Sequence, residues 1–294
     1  MLLAEERNAI QLSGRQGLPT LHPGDRLKGY LRLSCQTDTL GNSRLSRKAF
    51  RSPIHISKPY RYDRSLLLNV MSPTAGLLAG DSIDIDVEVC SQSSLILSSP
   101  AALRIHKMDA GSAALSQQFH VASVGLLEVN PEWLILQGES DFSQKTQIEV
   151  EKDGSLFFIE SIAPGRVAHK ETFEFHRFRN RFKLMWDNVL VGLERYVIEP
   201  QKGTHGTWQK AFKTPFYVSI FIIANELAGK ADLERFIRNL NTSSLLAGAS
   251  RLTTGPSWNV KLLTEDPVEA RAAIDAIRTF FYEKLGRKAP PLRR

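Results

Sequence analysis

The segment SPTAGLLAGDSIDIDVEV, residues 72–89, joins a glycine-bearing loop to acidic residues and could serve as a phosphate cradle or as a turn of a β-sheet. From Ile83 to Val89, aliphatic residues alternate with acidic ones, which is the pattern of a half-buried strand. A phosphate-binding glycine loop instead leads into a helix N-terminus, and no lysine follows Gly80 directly. We therefore interpret the loop as a turn whose glycines occupy backbone positions with positive φ.

Common catalytic motifs are absent from the sequence. It contains no G-x-S-x-G, H-E-x-x-H or C-x-x-C, and its seven histidines show no i, i+2 or i, i+4 pairing. The two cysteines, Cys35 and Cys90, are far apart in the chain, so we expect each to be a small buried hydrophobic residue. The sequence thus predicts neither a standard active site nor a closed metal cage.

The segment HRFRNRFK, residues 176–183, carries the most conspicuous charge pattern. In a strand its basic residues share one face, whereas Phe178 and Phe182 point to the other. This face is either a solvated outer surface or a docking surface for an acidic partner. Nucleic-acid recognition fits less well, because the aromatic residues point inward. The basic residues are Arg177, Arg179, Arg181 and Lys183.

Strands are the elements that must position these residues. Short apolar or alternating segments follow one another closely, and we see no internal repeat. The pairs Asp153-Gly154 and Asp187-Asn188 each indicate a hairpin turn. This pattern predicts a large, mainly antiparallel β body in layered or superhelical sheets. The predicted strands cover residues 30–34, 65–71, 83–89, 94–98, 113–121, 125–129, 134–137, 145–150, 156–160, 172–186, 190–198 and 214–223.

Helical periodicity occurs only late in the chain. Apolar residues recur at three- and four-residue intervals in residues 230–241 and again in 265–286, where Asp266 is the expected N-cap and Gly286 the expected stop. The fold class is therefore mainly β with about two α-helices near the C-terminus. We expect a single domain over residues 1–294, with a less certain N-terminal part (1–63), a β-rich body (64–225) and a helix-containing C-terminal part (226–294).

The composition is that of a globular protein, with 42% hydrophobic and 23% charged residues among 294. No apolar run approaches the roughly 20 residues that span a bilayer. The first residues, MLLAEERNAI, are acidic where a signal peptide would be basic, so we expect a cytoplasmic protein. The net charge of +7 favours acidic partners, but alone does not choose between nucleic acid, anionic membrane and acidic protein.

Four segments, taken in order, resemble the UreD (also called UreH) family of urease accessory proteins. They are SPTAGLLAGD, LILSSPAALRIHK, LLEVNPEWLILQGESDFSQ and ESIAPGRVAHKETFEF. The resemblance spans roughly Arg64 to the C-terminus. Four positions depart from the family pattern, namely Ala75, the pair Ser98-Ser99, Arg104 and Lys170.

The resemblance implies a non-catalytic scaffold for urease maturation. Such a protein would bind a UreF-type partner, through it the nickel-binding GTPase UreG, and apo-urease, in a heteromeric complex that could be a dimer of heterocomplexes. It would hold no cofactor tightly, conduct nickel in transit through an interior passage, and need neither nucleic acid nor membrane. The expected structural or interface residues are Gly76, Gly80, Ala101, Ala102, Arg104, Gly165 and Arg166, together with Arg177, Arg179 and Arg181 of the basic face.

The acidic residues inside the family motifs are the candidates for nickel transit: Asp81, Glu128, Glu160 and Glu171. Scattered oxygen ligands release a cation more readily than a closed His/Cys cage. Each candidate also has a structural interpretation. Asp81 could cap the glycine-rich turn, and Glu160 or Glu171 could pair with Arg166 near Gly165.

Two other functions remain open from the sequence. A β-sandwich hydrolase would need two carboxyl groups, such as those of Glu128 and Glu160, converging in an open cleft at roughly 5 to 9.5 Å. A basic nucleic-acid-binding module would show affinity with a steep salt dependence.

Overall fold

The structure, a computed structural model, describes residues 26–204, 206–210, 212–213, 215–228 and 231–292. The acidic start of the chain, His22 and His205 lie outside these residues. Within the described part, no helix has the length and apolar character needed to cross a membrane.

The described residues form eighteen strands and three α-helices. Residues 200–202, 225–227 and 167–169 form single 3₁₀ turns. The strands are β1 (Lys28–Thr37), β2 (Ser43–Arg51), β3 (His55–Ile56), β4 (Tyr60–Tyr62), β5 (Ser65–Met71), β6 (Ser82–Val89), β7 (Ser94–Ser98), β8 (Leu103–Ile105), β9 (Ala113–Val121), β10 (Leu126–Asn130), β11 (Leu134–Leu136), β12 (Asp141–Val150), β13 (Ser155–Ala163), β14 (Arg177–Trp186), β15 (Val189–Ile198), β16 (Phe216–Ile223), β17 (Leu245–Arg251) and β18 (Ser257–Thr264). The helices are α1 (Gly206–Gln209), α2 (Ala231–Arg238) and α3 (Pro267–Lys284).

Two sheets face each other across the main core. The first sheet has the strand order β15-β14-β12-β9-β6-β1-β2. The second sheet has the order β17-β18-β16-β13-β10-β7-β5-β3, with β4, β8 and β11 attached beside this path. Aromatic and aliphatic residues from both sheets fill the space between them, among them Leu31, Phe142, Phe158 and Phe178.

The central strands of both sheets are parallel. In the first sheet, β1, β6, β9, β12 and β14 pair in parallel, and only β2 and β15 are antiparallel at the edges. In the second sheet, β5, β7, β10 and β13 are parallel, whereas β16, β18 and β17 continue antiparallel. The prediction of a largely antiparallel body is therefore wrong for the centre of the molecule, although the mainly β class is confirmed.

The chain reaches this arrangement by coiling between the sheets. Each coil runs along a second-sheet strand, through a long connection, along a first-sheet strand and back through a tight turn. Consecutive coils are joined edge to edge, for example by Ala122 N donating to Val89 O at 2.9 Å and Glu151 N donating to Val121 O at 2.8 Å. The four second-sheet strands begin at Ser65, Ser94, Leu126 and Ser155, at intervals of about 30 residues, so a structural repeat exists where the sequence shows none.

One predicted hairpin is confirmed and one is wrong. Asp187 and Asn188 both have positive φ, and they join β14 and β15 as an antiparallel hairpin. The Asp153-Gly154 turn is present, but it carries the chain from β12 in the first sheet to β13 in the second. A tight turn fixes a change of direction, and it does not fix which strand becomes the neighbour.

The C-terminal helices cover the outer face of the second sheet. Ile277 and Phe281 of α3 pack with Phe157 and Val260 in a second core cluster. The Asp266 carboxylate accepts a hydrogen bond from Val268 N at 2.8 Å, and Gly286 has positive φ just beyond the helix. Both predicted ends of this helix are thereby confirmed.

Candidate functional site

The four family-like segments lie side by side at one end of the coiled body. They form the long connections that lead from second-sheet strands to first-sheet strands. We call this end of the body the loop end. Leu77 N donates to Arg104 O at 2.8 Å, and Gln137 N donates to Ile105 O at 3.1 Å. Gly138 N donates to the Glu171 carboxylate at 2.9 Å. Segments that are far apart in sequence thus form one stack of loops.

Two glycines of the loop end hold backbone positions that no other residue fits. Gly76 has φ +145°, and an added Cβ would lie 2.3 Å from Arg104 O. Gly165 has φ +151°, and an added Cβ would lie 2.4 Å from Glu171 O. Both glycines therefore let neighbouring loops approach closely. The remaining predicted loop residues are placed here as well: Gly80 has φ +86°, Ala101 and Arg104 are exposed, and Ala102 is half-buried.

Asp81 caps the glycine-rich turn. Its side chain is buried and accepts hydrogen bonds from Leu27 N at 2.8 Å and Leu78 N at 2.9 Å. These contacts fix the turn that leads into β6. Asp81 therefore has the structural role of holding this turn, through two backbone amides that precede it in the chain.

Glu171 pairs with Arg166 across the Gly165 turn. The Arg166 guanidinium donates two hydrogen bonds to Glu171 Oε2, one of them from Nε at 3.0 Å. These hydrogen bonds from Arg166 hold the pKa of Glu171 below its usual value, with the Gly138 amide adding to the effect. Of the two carboxylates proposed for Arg166, the structure thus selects Glu171.

Glu128 anchors α3 to the second sheet. This fully buried carboxylate accepts hydrogen bonds from Arg278 Nε at 2.5 Å and Nη2 at 3.1 Å. Tyr282 Oη donates to it at 2.7 Å, and Asn130 Nδ2 at 3.3 Å. With its charge paired and its oxygens occupied, Glu128 serves as a structural anchor.

Glu160 differs from the other three candidates. It is 4% exposed, and it accepts hydrogen bonds from two neutral amides, Gln144 Nε2 at 2.7 Å and Asn180 Nδ2 at 3.2 Å. Within the described residues no cationic side chain lies within 4 Å of it. Burial raises the pKa of Glu160 to about 7, partly offset by the Asn180 hydrogen bond and reinforced by the negative charge of Glu194.

Glu160 and Gln144 line a cavity between the two sheets. Its volume is about 110 Å³, and most of its wall is apolar, including Leu31, Ile85 and Phe158. The polar part of the lining includes Glu160 with Gln144, and also Gln117, Glu132 and three serines.

A second polar group lies near Glu160 at the same side of the core. Lys261 Nζ donates to Glu194 Oε1 at 2.6 Å and to Tyr217 Oη at 2.8 Å. Glu194 Oε2 and Asn180 Oδ1 are buried and have no hydrogen-bond partner among the described residues. Four of these polar residues are not among those predicted from the sequence: Gln144, Asn180, Glu194 and Lys261. The available signal was a polar residue at an inward strand position, such as Asn180 between Phe178 and Phe182.

The four predicted carboxylates do not converge on one site. Glu128 faces α3, whereas Glu160 lies on the opposite face of the second sheet, among residues of the main core such as Phe158 and Ile162. These two residues therefore cannot form the acid and base pair of the hydrolase alternative. Within the described part of the chain, no group of three or more His, Cys, Asp or Glu side chains is arranged to hold a metal ion.

Comparison with known proteins identifies the family. The model of the UreD urease accessory protein family matches residues 27–294. The chain belongs to the UreD family. This UreD-family chain is 32% identical over 264 residues to the urease accessory protein UreD of Opitutus terrae, covering 88% of this chain and 96% of the relative. It is 26% identical over 256 residues to UreD of Mycolicibacterium gilvum, covering 84% of this chain and 89% of that relative. It is 27% identical over 173 residues to UreH of Helicobacter hepaticus, covering 59% of this chain and 69% of that relative. These relatives are named as accessory proteins.

Proposed function

We propose that this UreD-family protein is a non-catalytic scaffold of urease maturation. It binds UreF-type and UreG-type partners and apo-urease, and it helps to deliver nickel to the urease active site. The match of the family model to residues 27–294 carries this proposal.

Glu160 is the residue that we assign to nickel passage. Glu171 and Glu128 are paired with arginines and Asp81 is held by two backbone amides of a turn, whereas Glu160 accepts hydrogen bonds from two neutral side-chain amides and lines a cavity. Two further oxygens, Asn180 Oδ1 and Glu194 Oε2, are buried nearby without hydrogen-bond partners among the described residues. The other three carboxylates cap a turn, hold a loop and anchor a helix, so they stabilise the scaffold.

The chemistry of Glu160 suits a cation that binds and leaves. A single carboxylate held by neutral amides is a weak ligand set for nickel compared with a cage of histidine or cysteine. Because the pKa of Glu160 is about 7, a proton competes with the cation near neutral pH. Proton return can thus accompany release of the metal, which suits a passage better than a storage site.

A matched pair of glutamine variants tests the assignment of Glu160. In a urease-positive host that lacks its own copy of the gene, we compare the wild type, Glu160→Gln and Glu234→Gln, an exposed residue of α2. We expect Glu160→Gln to reach wild-type protein levels but to yield urease with less bound nickel, whereas Glu234→Gln yields wild-type loading. Full nickel loading with Glu160→Gln would contradict a transit role for this carboxylate.

Direct binding tests the scaffold itself. A tagged chain co-expressed with a UreF-type protein should co-purify with it at moderate salt. Absence of co-purification under conditions where both proteins are folded would contradict the scaffold proposal.

A further inference from the structure

A row of polar side chains crosses the inner face of the second sheet. Ser219 of β16 is directly opposite Glu160 of β13 on one side and Lys261 of β18 on the other. Because neighbouring strands lie about 4.8 Å apart, the backbones of Glu160 and Lys261 are about 10 Å apart along this row. Glu160 and Ser219 are buried, whereas the Lys261 side chain is 47% exposed. The row therefore runs from the core to the surface.

A second polar row lies opposite it on the first sheet. Asn180 of β14 is directly opposite Gln144 of β12 on one side and Tyr196 of β15 on the other. The Asn180 amide donates to Glu160 Oε2 at 3.2 Å and to Tyr196 Oη at 3.0 Å. These hydrogen bonds join the two rows into one polar layer through a core that is otherwise mostly apolar.

The two faces of β14 differ in how their polar groups are satisfied. On the outer face, Arg177 and Arg179 donate to the Asp141 carboxylate at 2.7 and 3.3 Å, and Arg181 is exposed. On the inner face, Asn180 is 1% exposed, and its Oδ1 has no hydrogen-bond partner among the described residues. Burying an amide oxygen without a partner is costly, so this oxygen is available to a ligand within the polar layer.

An ion pair between the two sheets closes the surface end of the polar layer. Lys261 Nζ donates to Glu194 Oε1 at 2.6 Å and to Tyr217 Oη at 2.8 Å. Glu194 is directly opposite Phe182 on the inner face, so it is a diagonal neighbour of Asn180. Its second oxygen, Oε2, is buried and has no hydrogen-bond partner among the described residues. Glu194 can therefore bind a second cation through Oε2.

The charges of this ion pair act on Glu160. Besides burial, which has the largest effect, the charge of Glu194 raises the pKa of Glu160 and the charge of Lys261 lowers it. The cavity that Glu160 lines is formed by strands up to β13, whereas Glu194 and Lys261 lie beyond them on β15 and β18. Glu160 thus lies between the apolar cavity and the polar layer that leads to the surface.

We infer that Glu194 Oε2 and Asn180 Oδ1 form a second position for nickel, at the surface end of the path to Glu160, and that Lys261 holds this position closed. Without nickel, the Lys261 ammonium neutralises the Glu194 carboxylate. A divalent cation on Oε2 competes for the same negative charge, so its arrival weakens the ion pair and its departure restores it. This inference rests on the proposed function, because it takes nickel as the cation and Glu160 as its neighbouring ligand.

A double variant that keeps the net charge tests the inference. The untagged, full-length wild type is titrated with Ni²⁺ by calorimetry near neutral pH and compared with Glu194→Gln/Lys261→Met. The matched control is Glu139→Gln/Lys107→Met, which removes an exposed ion pair of 2.9 Å at the loop end. Each double variant removes one glutamate and one lysine, and thermal unfolding verifies its fold.

We expect Glu194→Gln/Lys261→Met to weaken Ni²⁺ binding by roughly tenfold or more, because a ligand is lost, and the control to leave it within about twofold. Lys261→Met alone should strengthen binding by roughly threefold or more, because Glu194 remains without its competing ammonium. A purely long-range effect of charge predicts no change in the neutral double variant, so unchanged affinity there would overturn Glu194 as a ligand. If that variant does not fold, Lys261→Met decides, and unchanged or weaker binding would overturn the inference.

The variant Glu160→Gln in the same titration separates this inference from the proposed function. Weaker binding in Glu160→Gln with unchanged binding in Glu194→Gln/Lys261→Met would overturn the second position and leave the assignment of Glu160 standing. A wild-type chain that binds no Ni²⁺ at millimolar concentration would overturn both nickel positions. Co-purification with the UreF-type protein would still test the scaffold independently.

Discussion

Replacing Glu160 by glutamine removes a buried carboxyl group whose pKa is raised to about 7. The side chain keeps its size, and its amide can accept from Gln144. Its NH2 group can donate to Asn180 once the Asn180 amide turns over, so that Oδ1, which accepts no hydrogen bond from the described residues, takes the place of Nδ2. The variant should therefore fold. It differs from the wild type mainly in how the free energy of unfolding depends on pH.

The magnitude follows from the pKa of Glu160 in the two states. That pKa is about 7 in the folded protein against 4.5 for an unperturbed glutamate. Because the folded value is higher, the group favours folding while it is protonated, and this contribution is lost as the pH rises through 7. Integrating between pH 5 and pH 8 gives a loss of roughly 2 to 3 kcal/mol in the wild type that Glu160→Gln does not suffer.

Urea unfolding of both proteins in metal-free buffer at a series of pH values measures this difference. The free energy of unfolding of Glu160→Gln, relative to the wild type, should increase by roughly 2 to 3 kcal/mol from pH 5 to pH 8. Glu234→Gln should show no such increase, because Glu234 is exposed. Parallel pH profiles for Glu160→Gln and the wild type would refute the reasoning, since they would mean that Glu160 titrates alike in the folded and unfolded chains.

Three further predictions concern the scaffold, each measured by urea unfolding. Arg278→Met should cost about 3–5 kcal/mol because it leaves the Glu128 carboxylate buried without its cation; a loss below about 1 kcal/mol would contradict the anchor role. Gly165→Ala should cost at least about 1–3 kcal/mol through strain against Glu171 O, whereas Gly248→Ala, with open space around it, should cost far less; equal effects would contradict the close approach. Because the pKa of Glu171 is lowered, the wild type should lose stability as the pH falls below about 4.5. Arg166→Met should lose less over that range, and an unchanged acid profile would show that Arg166 does not hold the Glu171 charge.

Local sequence patterns predicted local structure well. Alternation in residues 83–89 gives β6, the Asp187-Asn188 pair gives the β14–β15 hairpin, and Asp266 caps α3. Each of these features depends on backbone preferences within a few residues. The basic face of β14 follows from the same two-residue periodicity, because Phe178 and Phe182 are buried opposite it.

Long-range pairing was not predictable from these patterns. Alternating and continuous apolar strands look alike whether their neighbours run parallel or antiparallel, and the Asp153-Gly154 turn is compatible with both a hairpin and a change of sheet. The coil of about 30 residues has no repeated sequence motif, since its long connections differ in length and role. The pairing is fixed by how two sheets close around one core.

The roles of the acidic residues depended on the same long-range placement. Glu128 meets Arg278, which lies 150 residues away in sequence, so no local motif shows that its charge is paired. Glu171 and Arg166 are five residues apart, and that pairing was one of the alternatives drawn from the sequence. Glu160 stands out only once the fold shows that its neighbours are the amides of Gln144 and Asn180.

Urease maturation in a urease-positive host from which this gene has been deleted tests the central claim most directly. Urease activity and urease-bound nickel are measured with and without a plasmid copy of the wild-type chain. The account predicts that nickel-free urease accumulates in the deletion strain and that the plasmid restores both nickel and activity. Active, fully nickel-loaded urease at wild-type levels in the deletion strain would contradict it.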